Sequence, residues 1–397
     1  MTGRDRGRAI GIGAAWLALA ATAGAGLAVL GGVALARRAV TPAAVPEAPV
    51  RVLAVLERDG AAHVRLRGTD AGLPGRYSLV FDGGAGHARL GAVVAGAADS
   101  AGGVLRELVA VDRGTLVPGT TGRITGWWFA DAAELGYRTE RIAFPTELGE
   151  AEAWLVHPKR ARKRRWAVHV HGRGADPVET LRGVAPLARA GITSLVISYR
   201  NDTGAPSGRH ARYGLGVSES RDVDAAVAEA VRRGAGRVTL VGWSMGATAC
   251  LLAASGGEHR SVVDGLILDS PAIDWEELLR YHAAGMRVPR RVAGFGVRLL
   301  DAGLVRAGED DGIPFDRLEA SALGRALTVP VLIHASRADT FVPCAGAERL
   351  AAARPELVQL RLQDRGEHVK LWNVDPAPWE RSTEAFARAL PHPPWRG

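Results

Sequence analysis

Apolar residues fall into three patterns along the chain. From Ile10 to Ala36 no charged side chain occurs, and Trp16, Leu17, Leu19, Leu27, Val29, Leu30, Val33 and Leu35 carry most of the hydrophobicity. A helix of that length would span roughly 40 Å, more than the ~30 Å hydrocarbon core of a bilayer. The pattern predicts a tail and a single transmembrane helix within residues 1–40, the span lying at about 10–36. A Pro- and Ala-rich linker follows over 41–49. The alternative is a cleaved secretion signal, because Ala34-Leu35-Ala36 has the A-x-A form. The second pattern covers residues 50–139. Short β-prone runs (Val50–Glu57, Ala62–Arg67, Tyr77–Phe81, Val104–Val111) are punctuated by Gly, Asp and Pro, which predicts a small β-rich region. The third pattern covers 140–395. Alternation from Arg141 gives way to apolar, β-branched runs at Trp166–His171, Ile192–Tyr199, Val238–Val241, Val262–Leu268 and Val329–Ser336, then to an alternating run at Leu357–Leu362. Between them lie helical stretches such as Glu219–Arg232, with Val223, Val227 and Val231 on one stripe. Buried strands alternating with helices predict an α/β domain on a mostly parallel sheet. Residues 271–328 are long for a connection and hold helical stretches at Trp275–Ala284 and Val288–Ala302, which predicts a lid.

Chemistry concentrates at the ends of these strands. Gly242-Trp243-Ser244-Met245-Gly246 stands between a strand and the small-residue helix Ala247–Ser255. A serine at the apex of a sharp strand-to-helix turn needs glycines on either side, and the turn aims the first helical amides at the reacting centre. Ser244 is therefore the candidate nucleophile. Asp339 follows the strand Val329–Ser336, and His368 follows Leu357–Leu362. That order assigns His368 as general base and Asp339 as the group fixing its tautomer. Asp269, one strand earlier, is the alternative acid. The loop Gly172-Arg173-Gly174 follows the early strand Trp166–His171, so the Met245 and Arg173 amides are the expected oxyanion donors. His171, Gly172, Gly174 and Trp243 are expected to line the substrate pocket, with His171 orienting the loop. The Arg200–Arg212 loop should border it too. The Arg173 side chain, and Arg287, Arg290, Arg291 and Arg298 in the lid, are either solvated or placed to meet an acidic substrate group.

With HGRG at 171–174, GWSMG at 242–246, SRADTFVP at 336–343 and GEH at 366–368, the chain resembles the α/β-hydrolase family over about residues 140–390. The resemblance looks closest to bacterial, membrane-anchored serine hydrolases near the prolyl-oligopeptidase-like branch. It implies an eight-stranded, mostly parallel sheet with helices on both faces, a Ser244–Asp339–His368 triad, and neither metal nor other cofactor. Ala247 stands where the family often has a second small residue after the elbow. The expected activity is hydrolysis of an ester, thioester or amide acyl bond through an acyl-enzyme, most simply a carboxylesterase. A prolyl-oligopeptidase-type peptidase and an acyltransferase are the alternatives. A membrane-tethered binding module with an idle triad is the non-enzymatic one.

Composition changes this picture little. The formal charge is +8, but residues 1–40 hold +4 and Lys159–Arg165 holds +6, so the remainder is slightly acidic. No nucleic-acid partner is implied. The Lys159–Arg165 run reads as a solvated hairpin loop, or as a contact for anionic lipid. Cys250 and Cys344 cannot form a disulfide framework. Trp127 and Trp128 read as packing residues. Three arginines precede the apolar span and two follow it, a lean toward an inside amino terminus and an extracytoplasmic catalytic domain. The expected partners are thus a small-molecule or peptide acyl substrate and the membrane.

Overall fold

In the computed structural model the described residues are 28–42, 47–94, 102–162 and 164–391. Residues 28–40 form helix α1. Six strands come next: β1 (Val50–Arg58), β2 (Ala61–Gly68), β3 (Tyr77–Phe81), β4 (Gly86–Val93), β5 (Val104–Arg113) and β6 (Thr121–Thr125). They close into an antiparallel barrel in the order β1-β2-β5-β4-β3-β6. Closure removes the exposed edges that short antiparallel strands would leave. The β1–β2 hairpin turns on Asp59 and Gly60, both at positive φ, the geometry that matches strand twist. β4 and β6 carry weak alternation and glycines, so the sequence pattern misses them. Val52, Val64, Leu66, Tyr77, Leu79, Phe81 and Leu90 form the barrel core.

Arg106 is fully buried at one end of this barrel. Its guanidinium donates to the carbonyls of Ala71, Leu73, Gly75 and Gly91 at 2.6–3.1 Å and lies over the Tyr77 ring. It thereby fixes the 71–75 loop, whose continuation reaches the second domain.

The larger domain runs β7 (Arg138–Thr146), β8 (Gly149–His157), β9 (Arg165–Val170), α2 (Val184–Arg189), β10 (Thr193–Ile197), α3 (Glu219–Arg232), β11 (Arg237–Trp243), α4 (Met245–Gly256) and β12 (Val263–Asp269). It continues with α5 (Trp275–Gly285), α6 (Arg290–Asp301), α7 (Ala320–Ala326), β13 (Val331–Ser336), α8 (Ala345–Ala353), β14 (Val358–Gln363), α9 (Leu371–Val374) and α10 (Pro376–Ala389). The sheet order is β14-β13-β12-β11-β9-β10-β8-β7. β9 to β14 are parallel, and β8 and β7 pair antiparallel at one edge. β9 to β13 are buried almost throughout, which their unbroken apolar runs required. The chain leaves β9 to one side and returns as β11 on the other. The crevice at the carboxyl ends of these two strands is where open α/β sheets bind ligands.

The fold tests one expectation in part and corrects another. Residues 10–27 of the predicted membrane span lie outside the described residues, as do 43–46 of the linker. Residues 28–36 belong to α1, which continues to 40 and packs on protein. Gly32 lies so close to α6 that a Cβ there would sit 2.7 Å from Phe295 Cδ1. Ala36 and Val40 are buried in the main core, and the Val40 carbonyl accepts the Tyr213 N–H at 2.8 Å. Among the described residues no helix is long and apolar enough to cross a membrane. The Lys159–Arg165 run does not close a hairpin either, because β10 lies between β8 and β9. Its last member, Arg165, is buried and pairs with Asp264 at 3.3 Å while donating to the Ala387 carbonyl.

Replacing Arg106 with Met should leave the Ala71 and Gly91 carbonyls, which are buried, and the part-buried Leu73 and Gly75 carbonyls without their donor, the buried ones each costing about 1–3 kcal/mol. We expect a loss of about 3 kcal/mol or more in chemical denaturation followed by Trp fluorescence. Arg106→Lys should recover little, since one ammonium cannot reach the carbonyls the planar fork spans.

Candidate active site

The turn after β11 places Ser244 at φ 51° and ψ −117°, a conformation costly for a residue with a Cβ. Its neighbours explain how the turn is held. A Cβ on Gly246 would lie 2.4 Å from the carbonyl oxygens of Val170 and His171, and one on Gly242 would lie 2.6 Å from Ala247 Cα. Only glycine permits this approach of β11, α4 and the end of β9. The Ser244 N–H donates to the Asp269 carbonyl at 3.0 Å. Met245 opens α4, so its amide has no acceptor within the helix.

His368 Nε2 lies 2.8 Å from Ser244 Oγ, and His368 Nδ1 lies 2.8 Å from Asp339 Oδ2. Asp339 Oδ1 accepts the Phe341 and Val342 N–H groups at 2.9 and 2.8 Å, which fixes the carboxylate. The alternative acid, Asp269, is engaged elsewhere. Its carboxylate accepts Trp379 Nε1–H at 2.8 Å and the Ser270 hydroxyl at 3.0 Å, and burial pushes its pKa up to about 6.

The loop after β9 is tied down from below. His171 is fully buried, stacks on Tyr199 at 4.2 Å and pairs through Nε2 with Asp202 at 2.7 Å. Burial opposes its charge, but Asp202 and the Glu179 carboxylate outweigh it and hold the pKa up at about 9. The Tyr199 hydroxyl donates to the Gly172 carbonyl at 2.9 Å, and Glu179 accepts the Gly172 N–H at 2.8 Å. The Arg173 N–H donates to no acceptor among the described residues. The loop and the start of α4 therefore both border Ser244, and the Arg173 and Met245 amides there have no acceptor among the described residues.

A cavity of about 100 Å³ opens onto Ser244 and His368, with Gly172 and Arg173 in its wall. Trp275, Leu278, Leu279 and His282 of α5 roof it, Phe341 and Val342 close one side, and Ala39 of α1 the other. Three of the expected lining residues are not there. Trp243 points to the opposite face of the sheet and stacks between His169 and Trp379. Adjacent residues on a strand face opposite sides, so the residue before the nucleophile belongs to the core. His171 lies beneath the loop rather than in the wall, and Gly174 borders a separate cleft of about 560 Å³ against the barrel. Residues of the 200–212 loop reach that cleft through Thr203 and Gly204, not the Ser244 cavity. Arg287, Arg290, Arg291 and Arg298 do not line the cavity either. Among the described residues no His, Cys, Asp and Glu side chains cluster as a metal site.

Sequence reasoning misses the groups that hold the His368 loop. Arg182, fully buried, donates to the Val369 carbonyl at 2.8 Å and to Asn373 Oδ1. Asn373 Nδ2 donates to the carbonyls of Arg76 and Gly126, and the Asn373 carbonyl accepts the Arg76 N–H. Lys370 pairs with Asp70. The barrel thus abuts the loop that carries the histidine. No local signal marks Arg182 or Asn373, because their partners lie far away in the chain.

Residues 167–393 match the model of the Alpha/beta hydrolase family, and residues 51–125, the barrel strands, match that of a Domain of unknown function (DUF8805). None of the curated proteins matches the chain. The esterase Pf2001 of Pyrococcus furiosus is similar at 19% identity, over 66% of this chain and 95% of its own, with a TM-score of 0.49. Est1E from Butyrivibrio proteoclasticus is similar at 15% identity, over 62% and 96%, with a TM-score of 0.47. The acylaminoacyl peptidase of Pyrococcus horikoshii is similar at 16% identity, over 88% of this chain and 57% of its own, with a TM-score of 0.47.

The His171–Asp202 pair makes stability depend on pH. The folded value of about 9 lies above the ordinary 6.5. The pair therefore stabilises fully below pH 6.5 and loses its contribution as pH climbs to 9. Relative to His171→Gln, the wild-type melting temperature should fall between pH 6.5 and 9. Parallel curves for the two proteins would show that the pair is not ionised.

Proposed function

The chain belongs to the alpha/beta hydrolase family, and on that premise we propose that it is a serine hydrolase acting on short acyl esters. The observation that carries the reading is the line Ser244 Oγ, His368 Nε2, His368 Nδ1, Asp339 Oδ2, with 2.8 Å at each hydrogen bond. His368 takes the Ser244 proton as Oγ attacks the carbonyl. Asp339 holds Nδ1–H and balances the imidazolium. The Met245 and Arg173 amides receive the oxyanion. His368 then gives the proton to the departing alcohol, and the acyl-enzyme is released by water that His368 activates. A cavity of about 100 Å³ is small beside the ~300–1,000 Å³ that hold drug-sized ligands, which favours a short acyl group. Thioesters and amides fit the same chemistry. A peptidase would need room for residues on both sides of the scissile bond, and an acyltransferase an acceptor other than water.

A fluorophosphonate probe should label the wild type at Ser244 and leave Ser244→Ala unlabelled. Turnover of p-nitrophenyl butyrate should fall about 10⁴-fold or more in Ser244→Ala and by a similar factor in Asp339→Asn. Undiminished hydrolysis by Ser244→Ala would remove the reading. Rates on an acyl-length series beside a Pro-containing peptide amide separate esterase from peptidase.

We also propose that the enzyme sits at a membrane, with its catalytic domain extracytoplasmic. Residues 10–27 are uncharged and would extend ~27 Å as a helix, close to the ~30 Å core. The full chain should stay with the membrane through alkaline carbonate extraction, and Leu19→Arg should weaken that retention. Release of the wild type by carbonate, or a mature mass beginning at Arg37, would overturn the anchor.

A further inference from the structure

The Ser244 cavity has one charged end without a counter-ion. The Arg173 guanidinium carries five N–H donors, and its hydrogen-bond partner is the Ala39 carbonyl at 3.2 Å. No carboxylate among the described residues lies within ion-pair distance of it. The Tyr213 ring sits 6.0 Å away, and Arg38 adds a second positive charge to the same end. A half-buried cation in this state is costly unless something else supplies the anion. His282, on α5, gives a second, independent sign. Its Nε2 is buried with no partner among the described residues, and the residue lines the same cavity. Among the described residues the acid in the wall is Glu179, which accepts the Gly172 N–H and whose charge faces His171, Arg182 and Arg123.

Resting on the serine hydrolase reading, we infer that the Arg173 guanidinium and His282 Nε2 form an anion subsite, and that the preferred substrates are short acyl esters bearing a carboxylate, such as hemi-esters of small dicarboxylic acids. Arg173 has two separate parts in this arrangement. Its amide faces the reacting carbonyl, and its side chain binds the far end of the acyl group through the planar donor pair suited to a carboxylate. The apolar stretch between them, Leu278, Leu279 and Val342, covers the intervening methylenes.

Two measurements test this. Calorimetry on Ser244→Ala, which cannot turn over, should show methyl hydrogen succinate binding at least tenfold more tightly than methyl butyrate. Arg173→Met in that background should erase the difference, and Arg173→Lys and His282→Phe should each reduce it severalfold. On the active enzyme, the ratio of kcat/KM for mono-p-nitrophenyl succinate over p-nitrophenyl butyrate should exceed ten and fall at least tenfold in Arg173→Met. Using a ratio cancels any effect of the substitution on the oxyanion amide. Equal affinities in Ser244→Ala, or a rate ratio unmoved by both Arg173 variants, would overturn the subsite while leaving the hydrolase intact. Selective binding without Ser244-dependent turnover of either ester would do the reverse.

Discussion

Arg182 holds its guanidinium out of water, and three parts of the molecule meet on it: the segment after the 171–174 loop, the His368 loop and, through Asn373, the barrel. Its Nε–H goes to the Glu179 carbonyl, and its Nη1 donates to Val369 and Asn373. Asn373 passes the connection to the barrel through Arg76 and Gly126. Burial lowers the basicity of the group, while Glu179 and Asp269 favour its charge. Its Nη2 has no partner among the described residues, so the group is held through Nε and Nη1, and breaking that network would leave the Glu179 and Val369 carbonyls and Asn373 without their donor at once. Gly75 and Gly126 sharpen the constraint. A Cβ on Gly75 would stand 2.2 Å from the Asn373 carbonyl oxygen, and one on Gly126 would stand 2.5 Å from Arg182 Nη1. The separation of His368 from Ser244 is therefore set partly by a domain that contributes no reactive group.

The turn that carries Ser244 is the second constraint. Ser244 is held in a strained backbone conformation, and the surrounding close contacts over-determine it: β9 carbonyls against Gly246, α4 against Gly242, and the Asp269 carbonyl on the Ser244 amide. The strain puts Oγ at the crest of the turn and starts α4 at Met245. Strand order does the rest, because β9 and β11 are neighbours whose carboxyl ends bring the 171–174 loop beside that crest.

The legible part of the sequence obeyed local rules. Runs such as Trp166–His171 and Val329–Ser336 had to be buried on both faces, and they form the interior strands β9 and β13. The order Ser244, Asp339, His368 at strand ends was readable because each sits just past a strong periodic signal. The barrel strands β4 and β6 were not, since short Gly-containing segments alternate weakly. Trp243 was misplaced because the motif around Ser244 groups sequence neighbours, whereas the pleat sends them to opposite faces. His171 was legible as a loop-orienting residue but not as an ion pair, because Asp202 joins it from a different loop. The same holds for Arg182, Glu179, His282 and Ala39, whose importance comes from partners that only the tertiary fold supplies.

Helix α1 belongs to a segment whose composition suits lipid, yet its own contacts are with protein. Its Gly32, Ala36 and Val40 face is seated against α6 and the core, and Ala39 supplies a carbonyl to Arg173. A chain shortened to begin at residue 41, the natural choice for freeing the folded body from an apolar leader, would discard Ala39 from the wall of the Ser244 cavity. It would leave Gly296 and Phe295 of α6 facing solvent and the Arg173 guanidinium without its protein acceptor. The useful cut lies before residue 28, so that the helix stays with the enzyme it completes.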